Sequence, residues 1–366
     1  MTRFTKKLRR HGAANAVRAD ARPRGDARML AAISLAAALA LGAGACGGSS
    51  DTASGSGGDG SGGTIDLVAY STPETAYTQS LIPGFSETEE GADVAFKNSF
   101  GASGDQSRAV EAGLPADIVH LPLEPDITRL VEAGLIPEDY KDTEYEAGTQ
   151  NSVVVIGVRS GNPENIDSWE DLVTGEIEVI TPNPFTSGGA RWNLMAAYGS
   201  QIAQGKSEEE ALEFVRQILE NTPVQDASAR DSLQTFIGGK GDVFLSYENE
   251  ALGAIAAGEE LEYIIPDETI LIETKSAVTT EADDPEAAQA FIDWQLTDEG
   301  QRAWAESGYR PVNEEILKEY EDDFPQPKEL FTIEEFGGWE TVATEFFDPA
   351  EGSVAEIERS LGVATE

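Results

Sequence analysis

Residues 64 to 366 predict an α/β protein with two lobes, each a mainly parallel sheet flanked by helices. Three observations carry this reading. Strand and helix patterns alternate along the chain, which is the signature of parallel sheets covered by helices. Two unusually long extended segments, SVVVIGVRSG (152–161) and ILIETKSAVTTE (270–281), read as crossings between lobes. The length of 366 residues leaves room for two globular units. The expected division is 64–153 with 277–366 as lobe I, and 154–276 as lobe II.

The elements follow in order. TIDLVAYS (64–71) is a strand, and Thr72-Pro73 offers a cap and a first-turn proline for a helix. ADVAFKNSF is a second strand, and GASGDQSRAVEAG turns into a second helix. ADIVHLP and EPDITRLVEAG repeat the pattern, with Val119 and Leu121 on one strand face. SEEEALEFVRQILEN is a strong helix, with a capping box at Ser207 and Glu210 and an apolar face of Leu212, Val215, Ile218 and Leu219. DVFLSY (242–247) is a strand that feeds the helix ENEALGAIAAG. Asp284-Pro285 opens a helix carrying Ala288, Phe291 and Ile292. The chain contains no internal repeat.

The first 45 residues stand apart from this fold. A basic region (Arg3 to Arg28) precedes an apolar run from Met29, MLAAISLAAALALGAGA, that ends at Cys46, the only cysteine. That order describes an export signal, and the apolar run is too short for a good permanent span. Ala-Gly-Ala-Cys at 43–46 resembles the lipobox of bacterial lipoproteins, although position 43 is usually larger than alanine. The resemblance implies a diacylglyceryl group on Cys46 as the mature N-terminus. The long basic region leaves Met29 as an alternative start. Residues 46–63 form a Gly/Ser tether. Its Gly55, Gly57 and Gly60 match G-x-G-x-x-G, but no strand precedes them and no helix follows, so a dinucleotide reading fails.

Charge excludes further classes. The chain holds 25 basic and 67 acidic residues, of which nine and two fall within residues 1–45, leaving 16 against 65. A surface so acidic does not suit nucleic acid or anionic lipid. A lone cysteine forms no internal disulfide. Neither G-x-S-x-G nor H-E-x-x-H occurs, Gly239-Lys240-Gly241 lacks the rest of a phosphate loop, and no calcium-loop pattern is present. His120, on ADIVHLP, reads as structural. Trp192, Trp294 and Trp304 read as core, and Arg191 as the partner of a carboxylate or a support of the pocket rather than a direct ligand contact. The sequence offers no catalytic constellation, no metal site and no cofactor motif.

The segment NPFTSGGARWN (183–193) carries the chemistry. It enters a helix through a hydroxyl and two residues without side chains. Helix N-termini hold unpaired N–H groups and about half a positive charge, and glycines leave those groups open to an anion. Similar junctions occur at Gly101-Ala102-Ser103-Gly104 and at Asp226-Ala227-Ser228-Ala229. Each is also readable as an ordinary cap. Ligands of such folds sit beyond the carboxyl ends of the strands, where these helices begin.

NPFTSGGARWN, GDVFLSYENEAL, ITPNP, the GASGDQSR turn and FGGWE near residue 338 together resemble the bacterial sulfate-binding proteins of ATP-binding-cassette importers, over most of residues 64–345. The resemblance implies the two-lobed periplasmic-binding-protein-like (type II) fold, with an oxyanion in the inter-lobe cleft. Carried over position by position, it implies backbone N–H donors at Thr72, Ser103, Gly188, Gly189 and Ala229, the hydroxyl of Ser187 and the phenol of Tyr247. It further implies an exported, lipid-anchored, monomeric receptor that delivers sulfate to a permease driven by an ATPase. Receptors for thiosulfate, molybdate, tungstate or phosphate share the design and remain alternatives. Three positions depart from the family pattern: Tyr247 for tryptophan, Thr72 for an acidic residue, and Phe185 for lysine.

Overall fold

The computed structural model describes residues 63–365. The predicted export segment, Cys46 and nearly all of the tether lie outside the described residues. Two sheets form the frame. The first has the order β2-β1-β3-β9, from β1 (Thr64–Tyr70), β2 (Ala95–Gly101), β3 (Ile118–Leu121) and β9 (Lys275–Val278). Alternate residues of β1 face opposite ways, as the strand period of two requires. Ile65, Leu67 and Ala69 join Tyr77, Phe85, Phe291 and Trp304 in one core. Val68 joins Val119, Leu121 and Ile127 in the core on the other face.

The second sheet is centred on β4 (Gln150–Arg159), a ten-residue strand. Around it stand β5 (Val179–Ile180), β6 (Val243–Tyr247), β7 (Leu261–Ile264), β8 (Glu268–Glu273), β10 (Arg310–Pro311) and β11 (Glu329–Phe331). The expected parallel character is not kept here. β4 pairs antiparallel with β6, β7, β8 and β10, while β5–β6 and β11–β8 are parallel. A strand that arrives from the other lobe, without a preceding crossover helix of its own, is free to run against its neighbours.

Of the two predicted crossings, 270–281 contains a passage between the sheets, while 152–161 lies in and just after β4 of the second sheet. Thr274 separates β8 in the second sheet from β9 in the first. Beside it, His120 accepts or donates at both ring nitrogens, 2.7 Å from the Tyr77 hydroxyl and 2.9 Å from Thr274 Oγ1. Burial lowers its pKa to about 3, so the ring is neutral and structural.

The C-terminal part of the expected lobe I is corrected by the packing. Strand β11 pairs with β8 of the second sheet. Trp339, Val342, Phe346, Phe347 and Val354 join Trp192, Met195 and Val215 in that lobe's core. The left-handed Gly337 and Gly338 (φ 88° and 76°) turn the chain so that Trp339 meets Trp192 edge-on, ring centres 4.7 Å apart. Residues 329–361 therefore pack with the second lobe.

A smaller correction concerns the first helix. Its N-cap is Pro73 rather than Thr72, and no side chain caps it. The segment Tyr77–Leu81 is π-helical, which no sequence pattern announced.

Candidate functional site

Helices Ser103–Glu111, Gly188–Ala203, Ala229–Ile237 and Glu248–Ala256 begin at the same place, the first from one lobe and the rest from the other. Their caps separate the two readings that the sequence left open. Ser228 is an ordinary cap, its hydroxyl oxygen accepting from Asp231 N–H at 3.2 Å. Ser187 and Ala102, the N-caps of their helices, make no side-chain cap bond. The Gly188 helix also has no acidic residue in its first turn to offset its dipole. It is the most buried of the four, with Trp192, Leu194, Met195, Ala196 and Ala197 at 0–1% exposure. Asn193 fixes it, donating from Nδ2 to Thr181 Oγ1 at 3.0 Å and to the Leu245 carbonyl at 2.9 Å.

The structure brings all seven sequence-predicted residues, Thr72, Ser103, Ser187, Gly188, Gly189, Ala229 and Tyr247, around one small cavity. Tyr70, Ser71 and Ser228 also line it, and the sequence reading did not name them as contacts. Their signal was position alone: each stands at a strand end or helix start that faces the same cleft. Among the described residues, no lysine, arginine, histidine, aspartate or glutamate lines it. The space for the centre of a water-sized sphere is about 10 Å³. A sphere of that volume has a radius of about 1.3 Å, and the water's own radius of about 1.4 Å brings the space to about 2.7 Å, the size of one ion of four or five heavy atoms.

The two glycines explain themselves by what a side chain would meet. A Cβ on Gly188 would lie 2.8 Å from Leu123 Cγ and 2.8 Å from Ser103 Oγ, both in the other lobe. A Cβ on Gly189 would lie 3.3 Å from Ala229 Cβ and 3.5 Å from Tyr247 Cε1, against the cavity wall. Bulk at 188 holds the lobes apart; bulk at 189 narrows the cavity.

The donors are not equivalent. Gly188 N–H donates to Ser103 Oγ at 2.9 Å, so here it is engaged by protein rather than free for a ligand. Tyr247 is 1% exposed and its hydroxyl has no protein partner among the described residues. Burial first, then the neighbouring Tyr70, Glu250 and Asp126, hold its pKa well above the ordinary phenol value. The phenol therefore remains a protonated donor.

Charged groups stand one layer back. Arg191 Nε donates to the Pro184 carbonyl at 2.7 Å and its guanidinium lies 5.0 Å from the Phe347 ring centre. Asp126 is buried beside it, and burial raises its pKa while Arg191 and Arg129 oppose that rise. Arg230 donates to Glu250 at 2.9 Å and to the Thr72 carbonyl at 2.9 Å, linking the two lobes at the edge of the cavity. Phe185 is absent from the cavity lining; its N–H donates to Asn183 Oδ1 at 2.7 Å in the turn before the helix.

Comparisons with known proteins agree with this architecture. Residues 65–310 match the family described as bacterial extracellular solute-binding protein. A sulfate-binding protein of Synechocystis sp. is 40% identical over 294 residues, 78% of this chain and 83% of that protein. A thiosulfate-binding protein of Pseudomonas aeruginosa is 33% identical, covering 72% of this chain and 82% of that protein. The solved sulfate-binding protein SubI from Mycobacterium tuberculosis H37Rv matches with a TM-score of 0.76 at 40% identity, over 78% of this chain and 99% of that one. At the level of fold, this match bears out the two-lobed expectation.

Proposed function

The chain belongs to the bacterial extracellular solute-binding proteins, within the group of the sulfate-binding proteins, and from that premise we propose that it captures sulfate outside the cell for delivery to a membrane importer. One observation carries the proposal: an ion-sized cavity lined only by uncharged groups, where helix N-termini of both lobes converge.

The chemistry follows from the donor set. Sulfate at neutral pH is a fully deprotonated dianion and offers acceptors only. Amide and hydroxyl donors satisfy it, whereas the proton of hydrogen phosphate finds an acceptor in this donor set only if a hydroxyl, of Ser187 or Tyr247, gives up its own bond to the anion. An unmatched buried polar group costs about 1–3 kcal/mol. With Gly188 N–H engaged by Ser103, six charge-assisted bonds at about 1.5–3 kcal/mol each give roughly 9–18 kcal/mol gross, against about 4–15 for association. A dissociation constant in the micromolar range or below, near −8 kcal/mol, is compatible with that balance. Thiosulfate is also an acceptor-only dianion, but the relative named for it is more distant, at 33% against 40% identity.

In this reading Cys46 carries the lipid anchor, residues 46–63 hold the receptor off the membrane, and the protein works as a monomer with a permease and an ATPase, without catalysis of its own. Closure of the lobes over the ion creates the form that the permease accepts. Equilibrium dialysis of the purified protein against labelled sulfate tests the proposal. One saturable site per chain, displaced by unlabelled sulfate and not by phosphate, is expected. Absence of saturable binding overturns it.

A further inference from the structure

The helix Gly188–Ala203 meets the ion cavity at its first residues, and a separate cleft opens along its last turns. This cleft shares no lining residue with the ion cavity, and it leaves about 740 Å³ for the centre of a water-sized sphere. Tyr198, in its wall, stands about 15 Å along the helix axis from Gly188. At that separation salt hides most of the charge in one space from the other. The last turn of the helix carries no basic residue to balance its negative end.

Aromatic rings build the floor. Tyr198 meets Phe346 and Phe336 edge-on, ring centres 5.0 and 5.7 Å apart, and Phe336 meets Phe331 at 5.6 Å. Gly199 makes room for them, because a Cβ there would run into the Phe331 ring and lie 2.9 Å from Phe336 Cζ. The charge around this floor has one sign. Glu208, Glu329, Glu335 and Glu345 line the cleft from four separate elements, and among the described residues no lysine or arginine does. None of these four carboxylates is in a salt bridge among the described residues. Tyr198 is an independent sign of a ligand. It is 5% exposed, and its hydroxyl makes no hydrogen bond among the described residues. That oxygen is not among the fully covered polar atoms, so it looks into the cleft. Burial first, then Glu208 and Glu345, push the phenol pKa up to about 12, which keeps the group protonated and places both carboxylates near it.

A bare metal ion does not suit this geometry. Calcium and magnesium draw several oxygens to within about 2.0–2.6 Å. Among the described residues, no three acidic, histidine or cysteine side chains converge closely enough to hold a metal. An ammonium group asks for less, since it donates in three directions and accepts nothing. A phenol oxygen and a carboxylate both accept from it, and an aromatic face attracts it. Carboxylates spread around the rim match more than one positive charge, and the apolar floor between them matches methylene groups. We propose that this cleft binds a small alkyl polyamine, its ammonium groups on Glu208, Glu345 and the Tyr198 hydroxyl and its methylene chain over the aromatic floor. The polyamine and the oxyanion occupy opposite ends of one helix, each where the helix dipole favours its charge.

The experiment titrates the purified protein with spermidine by calorimetry in about 150 mM sodium chloride, where diffuse attraction to an acidic surface is screened. One spermidine per chain is expected, with a dissociation constant of about 1 mM or below. Tyr198→Phe keeps the ring and removes the oxygen, and the double variant Glu208→Gln with Glu345→Gln removes two charges. Spermidine affinity should fall about threefold or more for the first and about tenfold or more for the second. Sulfate affinity, measured on the same samples, should stay within about twofold of the parent, which also shows that the variants are folded. Absence of saturable spermidine binding overturns the proposal. So does spermidine binding that both variants leave unchanged, or that magnesium chloride displaces at equal charge, since the attraction would then belong to the acidic surface as a whole. Tighter binding of acetylated, amidated trilysine, which carries the same charge, also overturns it, because the occupant would then be a basic protein segment. Failure of the parent to bind sulfate would instead count against the proposed function alone.

Discussion

Gly188 N–H and Ser103 Oγ lie 2.9 Å apart, and they belong to helices of different lobes. The same pair has a steric side, because a Cβ at 188 would stand 2.8 Å from that hydroxyl oxygen. The glycine is therefore where closure is either made or blocked. Gly188→Ala should weaken sulfate binding by about 1–3 kcal/mol through overpacking at the lobe contact. Its unliganded melting temperature should hardly change. Calorimetry with small-angle scattering checks this: sulfate should no longer compact the variant.

Tyr247 offers a cleaner test of donor chemistry. Its hydroxyl has no protein partner among the described residues, so Tyr247→Phe removes a donor without orphaning a neighbour. Sulfate affinity should fall about 10- to 100-fold, with stability unchanged. Tyr247→Trp substitutes a group that only donates, and discrimination against hydrogen phosphate should sharpen. Calorimetric titration of both variants with both anions reads the difference.

Arg310 and Glu248 are paired out of water, Nε to Oε2 at 2.6 Å, with side chains 2% and 0% exposed. Arg310→Met should destabilise the protein by about 3–5 kcal/mol, because the glutamate is left buried and unpaired. The double variant with Glu248→Met should recover most of that loss. Urea denaturation of the single and double variants measures it.

His120 predicts a pH dependence. Its pKa falls from 6.5 to about 3 on folding, so between those values the unfolded chain binds the extra proton. The stability it supports is complete above pH 6.5 and declines as pH falls, by up to about 1.4 kcal/mol per unit. The buried carboxyls of Glu248 and Glu250, whose pKa values are raised by burial, push the other way. Comparison with His120→Gln isolates the histidine: the difference in stability between parent and variant should shrink steadily from pH 7 to pH 5.

These residues also mark what the sequence made legible. The helix-entry junctions at 101–104, 187–189 and 226–229 were readable from their small residues and the helix dipole, whereas the full set of seven contacts, Thr72 and Tyr247 above all, came through the family resemblance. Strands β1, β4 and β6 and the capped helices were readable for the same local cause. Strands β5, β10 and β11 have two or three residues each, too few to show a period. The seating of Trp339 on Trp192, which carries the C-terminal segment to the second lobe, depends on packing between residues 147 positions apart. The engagement of Gly188 by Ser103 is equally non-local. Neither leaves a trace in composition or spacing.

The most direct measurement is competitive calorimetry of sulfate and phosphate from pH 5 to pH 8. A cavity furnished with neutral donors should bind sulfate with an affinity flat across that range, and phosphate about 5- to 150-fold more weakly at every pH. Equal affinities for the two anions, or a phosphate affinity that matches sulfate at any pH in the range, would contradict it.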